Sequence, residues 1–272
     1  MICCLNSACQ NPSYPDGTKF CLNCGTSLVV LEHYRPIKLL GSGGFGKTYL
    51  AEDVYKFNEL CVIKQFAPQV QGTGALAIAT RLFEEEAKRL QQLGQNPQIP
   101  TLFSYFEQDN RLYLVQEYIQ GQNLSDELQH QGVFSTLKIR ELLLDLLNIL
   151  KFVHQQKVIH RDIKPENIIR RHDGKLVLID FGASKQLTTT AMAKPGTSIG
   201  TFGYVPPEQM EDLRVYPASD LYSLGATCFH LLTGINPWQL WKTQAYGWVN
   251  NWRQHLKQPV SQEVERVLNK LL

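Results

Sequence analysis

Apolar positions change their period along this 272-residue chain. Early on they alternate. Ile37-Lys38-Leu39-Leu40 leads into a glycine-rich turn, alternation resumes beyond it as a strand, and Cys61-Val62-Ile63-Lys64 reads as a strand carrying a lysine. A helical period first shows at residues 82–93, where Leu82, Phe83, Leu90 and Leu93 form one stripe. Strands are predicted at 102–106 and 112–115. Residues 140–154 are then strongly helical, with leucines at 142, 143, 146, 147 and 150. Beyond them a short buried hairpin is expected, from Ile168-Ile169 through a turn at Asp173-Gly174 to Leu176-Val177-Leu178-Ile179. An apolar helix opens at Ser219 and runs through Leu232, and an amphipathic helix covers 261–272. Trp238, Trp241, Trp248 and Trp252 lie between these two helices and read as core packing, with an exposed docking face as the alternative.

Composition narrows the class. A formal net charge of +2 gives no global support to a nucleic-acid or membrane-surface protein. No apolar run is long enough to span a bilayer, and Met1-Ile2-Cys3-Cys4 lacks the basic start of a secretory signal. A cytoplasmic protein is expected, where thiols stay reduced and cysteines are read first as metal ligands or core residues.

Five of the seven cysteines cluster at the N-terminus: Cys3, Cys4, Cys9, Cys21 and Cys24. Cys4-x4-Cys9 and Cys21-x2-Cys24-Gly25 form two knuckles around a loop of turn formers. Paired thiolates at this spacing suit tetrahedral Zn2+, and so short a segment has no other means of holding a fold. Four thiolates leave no open position, so the zinc would be structural, with Cys3 as a spare that can replace Cys4. A loose thiol cluster and a redox disulfide pair are the alternatives, and thiol oxidation of the cap would be a control on the rest. Lys19 is the lone basic residue of this cap, which speaks against nucleic-acid recognition.

Three further stretches carry chemistry. Gly41-Ser42-Gly43-Gly44-Phe45-Gly46 is followed by a strand pattern and not a helix, so it reads as a hairpin whose amides can approach phosphates closely. Lys64 follows on its strand. The third stretch runs from His160 to Gly182: His160-Arg161-Asp162-Ile163-Lys164-Pro165-Glu166-Asn167, the hairpin, then Asp180-Phe181-Gly182. Two acidic residues and an Asn at turn positions can hold hard cations and place a base beside them.

In this order and spacing the motifs resemble those of eukaryotic-type Ser/Thr protein kinases, over roughly residues 34–272. With its four-cysteine cap the chain is similar to the cysteine-motif kinases of cyanobacteria. The resemblance implies an α+β, two-lobed fold: a zinc-ribbon-like cap at 1–30, a β-rich lobe at about 34–116 and a helical lobe at about 121–272. It implies transfer of the gamma phosphate of ATP to protein Ser/Thr hydroxyls, with Mg2+ or Mn2+. Lys64 would hold phosphates and pair with Glu86, Glu85 being the weaker choice, and Gln116, Glu117 and Ile119 would line the adenine pocket. Asp162 would be the catalytic base, Lys164 would steady the phosphoryl group, and Asn167 and Asp180 would hold metal. Asp220 would brace the catalytic loop. Arg161 would engage phosphorylated Thr197, Thr201 would touch Asp162, and a homodimer for trans-autophosphorylation is a further expected partner. A pseudokinase scaffold is the competing reading, opposed by intact Lys64, Asp162, Asn167 and Asp180.

Two departures stand out. Val62 occupies a position where Ala is usual above the adenine. The family also pairs the Glu of its Pro-Pro-Glu motif, here Glu208, with an Arg from a later helix. The given sequence ends before that Arg, so the helical lobe is expected to be incomplete: either the chain is a fragment of a longer protein and inactive as given, or Glu208 finds another partner.

Overall fold

The computed structural model describes residues 1–6, 9, 13–43, 46–68, 72–181, 202–211 and 214–272. Gly44, Phe45, Thr197 and Thr201 lie outside these. The chain forms two compact units, Met1–Gly94 with Pro100–Tyr118, and Gln95–Ile99 with Ile119–Leu272.

The first unit is built on an antiparallel sheet. Its strands are β3 (Tyr34–Gly43), β4 (Gly46–Asp53), β5 (Glu59–Phe66), β6 (Leu102–Gln108) and β7 (Arg111–Glu117), in the order β3-β4-β5-β7-β6. Successive side chains of a strand point to opposite faces, and β5 uses both. Lys64 and Phe66 meet helix α1 (Thr73–Leu93), where Phe66 and Phe83 stand 5.1 Å apart. Cys61 and Ile63 enter an apolar cluster on the other face. Helix α1 starts at Thr73, well before the predicted stripe. Its first turns, with Gly74, Ala75, Leu76, Ala77 and Ile78, are largely exposed and apolar all round, so no periodicity marks them. Burial begins at Ala79.

The cysteine segment covers the far face of this sheet. β1 (Ile2–Cys3) pairs with β2 (Ser13–Tyr14), and alternation splits the first residues between two cores. Ile2 and Cys4 turn toward Cys9, Tyr14, Cys21 and Leu28. Cys3 and Leu5 turn toward Tyr34, Tyr49, Ala51, Cys61, Ile63, Tyr113 and Val115. Burying Leu5 alone is worth about 2 kcal/mol. The joint between cap and sheet is a tight turn in which Leu31 and Glu32 both have positive φ, at 45° and 63°. The Tyr34 amide closes it on the Val30 carbonyl at 2.9 Å, and the Leu31 amide donates to Gln108 Oε1 at 2.9 Å. Holding two non-glycine residues there costs roughly 1–2 kcal/mol each, offset by these bonds. The cap is thereby a layer of the sheet's core.

In the second unit, strands β8 (Gly121–Asn123), β9 (Ile168–Arg171) and β10 (Leu176–Leu178) form a small antiparallel sheet. Gly121 is required there, because a Cβ would lie 2.2 Å from the Arg170 carbonyl oxygen. The helices are α2 (Leu124–Gln131), α3 (Thr136–Gln155), α4 (Pro207–Glu211), α5 (Pro217–Thr233), α6 (Pro237–Gln244) and α7 (Gln262–Leu271). Ser135 caps α3 by accepting the Lys138 amide, and α3 buries Ile139, Leu142, Leu143, Leu146, Ile149, Leu150 and Val153 along one face. Helix α5 is buried almost all round and forms the axis of the unit. The 3-10 stretch Ala245–His255 buries Trp248 and Trp252. Trp248 packs 4.7 Å from Phe229, and the Trp252 indole donates to Asn269 Oδ1 at 2.9 Å. These two tryptophans are core. Trp238 and Trp241 stack on each other at 5.0 Å and stay partly exposed. No helix among the described residues is long and apolar enough to cross a membrane.

Within this unit the Tyr204 hydroxyl and Nδ1 of His230 share a hydrogen bond of 2.6 Å, and burial pushes the imidazole down to about 4. The unfolded imidazole titrates near 6.5, so between these values the unfolded chain binds more protons. The contribution to stability is complete above about pH 6.5 and is lost as pH falls toward 4. His230→Gln keeps an acceptor for Tyr204 and removes the titration. We expect urea unfolding of the wild type to lose about 2 kcal/mol more than this variant between pH 7 and pH 5. Equal losses would assign the acid sensitivity to other groups.

Candidate active site and the four-cysteine cluster

In the first unit the glycine hairpin closes with Gly43 opposite Gly46. Gly46 has φ 146°, and a Cβ would lie 1.9 Å from the Gln65 carbonyl oxygen, so only glycine lets β4 lie this close to β5. Gly41, Ser42 and Gly43 form the exposed end of β3. Lys64 and Glu86 make an ion pair with side chains 14% and 10% exposed. Glu85 faces elsewhere, toward Arg89 at 3.2 Å and Arg81 at 3.7 Å. Gln116 is buried near the end of β7. Glu117 closes that strand and accepts the Thr101 amide at 3.2 Å, while its own amide donates to the Thr101 carbonyl at 2.9 Å. Val62 is buried, and its neighbours in the register are Leu50 and Gln116.

The second unit holds the other candidates, beginning with buried Ile119. Asp220, on α5 and 0% exposed, gathers three donors. Its Oδ2 accepts from the His160 amide at 2.9 Å and from His154 Nε2 at 2.8 Å, and its Oδ1 accepts from the Arg161 amide at 2.8 Å. These bonds hold Arg161 at φ 71°. The next residue is Asp162, whose amide donates to His160 Nδ1 at 3.2 Å. An accepting Nδ1 leaves Nε2 as the donor, and it reaches the Ile179 carbonyl at 2.9 Å. Burial pushes the His160 imidazole below its ordinary value, which favours this neutral tautomer.

One ring thereby ties the loop at Asp162 to the segment carrying Asp180. The Asn167 side chain donates to the Asp162 carbonyl at 2.8 Å, and the Ile179 amide donates to the Asn167 carbonyl at 2.9 Å. Lys164 Nζ lies 3.4 Å from Asp162 Oδ2. Asp180 has φ 63°, and buried Phe181 packs edge-on to His160 at 4.7 Å. A non-glycine residue in this region is held by its surroundings, and Asp180 is one such point.

Glu208, on α4, accepts the Ser219 hydroxyl at 2.6 Å. A short-range partner from the start of α5 therefore meets this carboxylate. Beside it, Gln209 Nε2 donates to the Arg161 carbonyl at 3.2 Å, a contact that no sequence motif had marked.

The cysteine cluster is resolved by strand parity. Cys4, Cys9, Cys21 and Cys24 bring their sulfurs within 4.8 Å of one another, with Cys4 to Cys24 at 3.6 Å and Cys9 to Cys21 at 3.8 Å. Zinc–thiolate bonds of about 2.3 Å in a tetrahedron put sulfurs about 3.8 Å apart, so the donor set fits that ion. Cys3 lies in the sheet core and is no substitute for Cys4. Hydrogen bonds also support thiolates here: Tyr14 OH lies 3.1 Å from Cys21, and Asn23 Nδ2 donates to Cys9 at 3.4 Å. The Thr26 hydroxyl and amide hold Cys24 down at about 6. Burial raises Cys21, but the hydrogen bonds of Tyr14 and of the Asn23 and Cys24 amides outweigh it and leave the thiol below its ordinary value. Burial pushes Cys4 up.

Residues 34–272 match the protein kinase domain, and the chain belongs to the protein kinase family. Members of this family use ATP with a divalent metal. The chain is 42% identical to serine/threonine-protein kinase B of Synechocystis over 279 residues, covering 99% of this chain and 48% of that protein. It is 42% identical to serine/threonine-protein kinase F of the same organism, covering 92% of this chain and 54% of that protein. It is 46% identical to serine/threonine-protein kinase PknA of Nostoc, covering 77% of this chain and 38% of that protein. The chain thus spans about half the length of the curated relatives it matches, or less.

Asp220 offers a direct test of the geometry. Asp220→Ala strands two backbone amides and a histidine donor in the interior, each of which had a charged acceptor. We expect a loss of roughly 3–5 kcal/mol in urea unfolding. A loss under about 1 kcal/mol would mean that the loop is held by something else.

Proposed function

We propose that this chain transfers the gamma phosphate of ATP to Ser or Thr hydroxyls of proteins. The observation that carries the reading is His160, whose two ring nitrogens join Asp162 to the Ile179–Asp180–Phe181 segment. Two carboxylates and the Asn167 amide are thereby held in fixed relation by groups that do no chemistry themselves. In this reading Asp162 accepts the hydrogen bond of the attacking hydroxyl and takes its proton. Lys164, beside Asp162, steadies the transferred group. Lys64, oriented by Glu86, meets the alpha and beta phosphates, while the amides of Gly41–Gly46 cradle them. Gln116, Glu117 and Ile119 take the adenine. Asn167 and Asp180 are the oxygen ligands for Mg2+ or Mn2+, which when bound neutralises charge on the phosphates. Thr197 is the proposed activating phosphosite and Arg161 its cation, with Thr201 acting near Asp162. A second copy of the chain is the simplest catalyst of that phosphorylation, with ATP giving up its gamma phosphate and leaving as ADP.

The test is transfer from labelled ATP to a generic Ser/Thr protein substrate, with magnesium. Asp162→Asn and Asp180→Ala should each lower turnover at least about a hundredfold. Wild-type turnover in Asp180→Ala alone would remove the metal assignment, and in both variants it would remove the kinase reading.

The proposal includes one structural zinc on Cys4, Cys9, Cys21 and Cys24, supported by the sulfur spacing and by the hydrogen bonds to those sulfurs. Cys21→Ser with Cys24→Ser should release one zinc per chain by elemental analysis. It should also lower the thermal midpoint of the first unit, because Leu5 leaves the sheet core with the cap. Purified wild type free of zinc, or a variant that melts like wild type, would sink this part.

A further inference from the structure

Gln65 stands directly after Lys64, and its side chain points to the opposite face of β5. It is 1% exposed. Both hydrogens of its amide are used: Nε2 donates to the Leu5 carbonyl of the cap at 2.7 Å and to the Tyr113 hydroxyl at 3.1 Å. Tyr113 is also its partner in the β5–β7 register and stacks on Phe106 at 5.2 Å. The backbone of Gln65 is equally committed. Its carbonyl lies where a Cβ on Gly46 would stand 1.9 Å away, so the root of the glycine hairpin rests on it. A second cap contact is independent of β5. Arg111, at the start of β7, donates to the Leu5 carbonyl at 3.2 Å and to Asn6 Oδ1 at 3.1 Å.

We infer that Gln65 is a positioning residue through which the four-cysteine cap sets the placement of Lys64 and of the glycine hairpin. Gln65 lies one residue from the end of β5, where the strand has few further pairs to fix it. Its side chain anchors this end to Leu5. Leu5 follows Cys4 directly, so its carbonyl is as well placed as the knuckle that holds Cys4. Loss of the knuckle frees Leu5, removes one of the two bonds on Gln65, and releases the strand end that carries Lys64 on its other face. The phosphate-binding elements of the first unit then lose preorganisation without any change in their own residues.

This inference rests on the reading that Lys64 and the hairpin hold nucleotide, and the test separates the two. Affinity for a fluorescent ATP analogue with magnesium is measured, not turnover. The proteins are wild type, Gln65→Leu, the Cys21→Ser/Cys24→Ser variant, the combination, and Lys64→Met. Gln65→Leu and the cap variant should each weaken binding roughly two- to tenfold, the span expected for a hydrogen bond or two. The combined loss should be clearly smaller than the product of the two single losses, because the two changes share the Gln65–Leu5 bond. Multiplying effects, or no effect of Gln65→Leu, would overturn the inference while leaving the kinase reading intact. Lys64→Met binding like wild type would overturn the nucleotide reading itself. Should Gln65→Leu melt below the assay temperature, hydrogen exchange of the other proteins reads the same coupling. The Lys64 and Gln65 amides should lose protection in the cap variant, and unchanged protection would overturn it.

Discussion

A buried carboxylate with three hydrogen-bond donors underlies the geometry of the second unit. An ionised Asp220 with no exposure would be costly in isolation, and the His160 and Arg161 amides with His154 offset that cost. The amides are not free to choose their direction. To present two consecutive N–H groups to one carboxylate, the chain turns through Arg161 at φ 71°. Beyond that turn, Asp162 lies beside Lys164 and Asn167. The strain at Arg161 thus follows from solvating Asp220, and the position of the proposed base follows from the strain.

The first unit depends on a different constraint, the two-residue period of β5. Because Lys64 must face α1 to meet Glu86, Gln65 must face away. A one-residue slip would exchange them and put a charged ammonium in the apolar cluster around Tyr49 and Ile63. The pattern therefore specifies register strongly. Cys61 and Ile63 reinforce it from the cap side, and Phe66 against Phe83 reinforces it from the helix side. The cysteine segment is not an appendage in this arrangement, because it supplies the cover that one face of the sheet needs.

Much of this was legible in the sequence, and the failures have physical causes. Strand and helix periods found β5, β7, α3 and α5, since each has one clear apolar face or is buried throughout. The first turns of α1 escaped because Ala and Gly surround them with no polar face for contrast. The sequence left Cys3 and Cys4 interchangeable, because spacing alone does not tell which thiol turns inward. Two residues of β1 decide it by parity. The packing of Leu5 was invisible for a similar reason, since one apolar residue among cysteines has no period. Glu208 illustrates a further case. No spacing rule points from its carboxylate to Ser219, a small residue at the start of α5, which is the partner it meets.

These cases share a pattern. Groups proposed to do chemistry draw many of the bonds that fix them from elsewhere in the fold. Their neighbours supply those bonds. His160 steadies Asp162 and Asp180 from within the core, and its burial keeps it neutral and fixed in one tautomer. Ser219 and Gln209 steady α4 and the Arg161 carbonyl. Gln65 does for Lys64 what His160 does for Asp162, with one difference that matters for regulation. The partners of His160 belong to the same unit's core, whereas one partner of Gln65 belongs to a short segment that we propose is ordered by metal on its four cysteines. A site whose supports are all core residues is as stable as the core. A site with one support on so small a segment takes on that segment's stability as well.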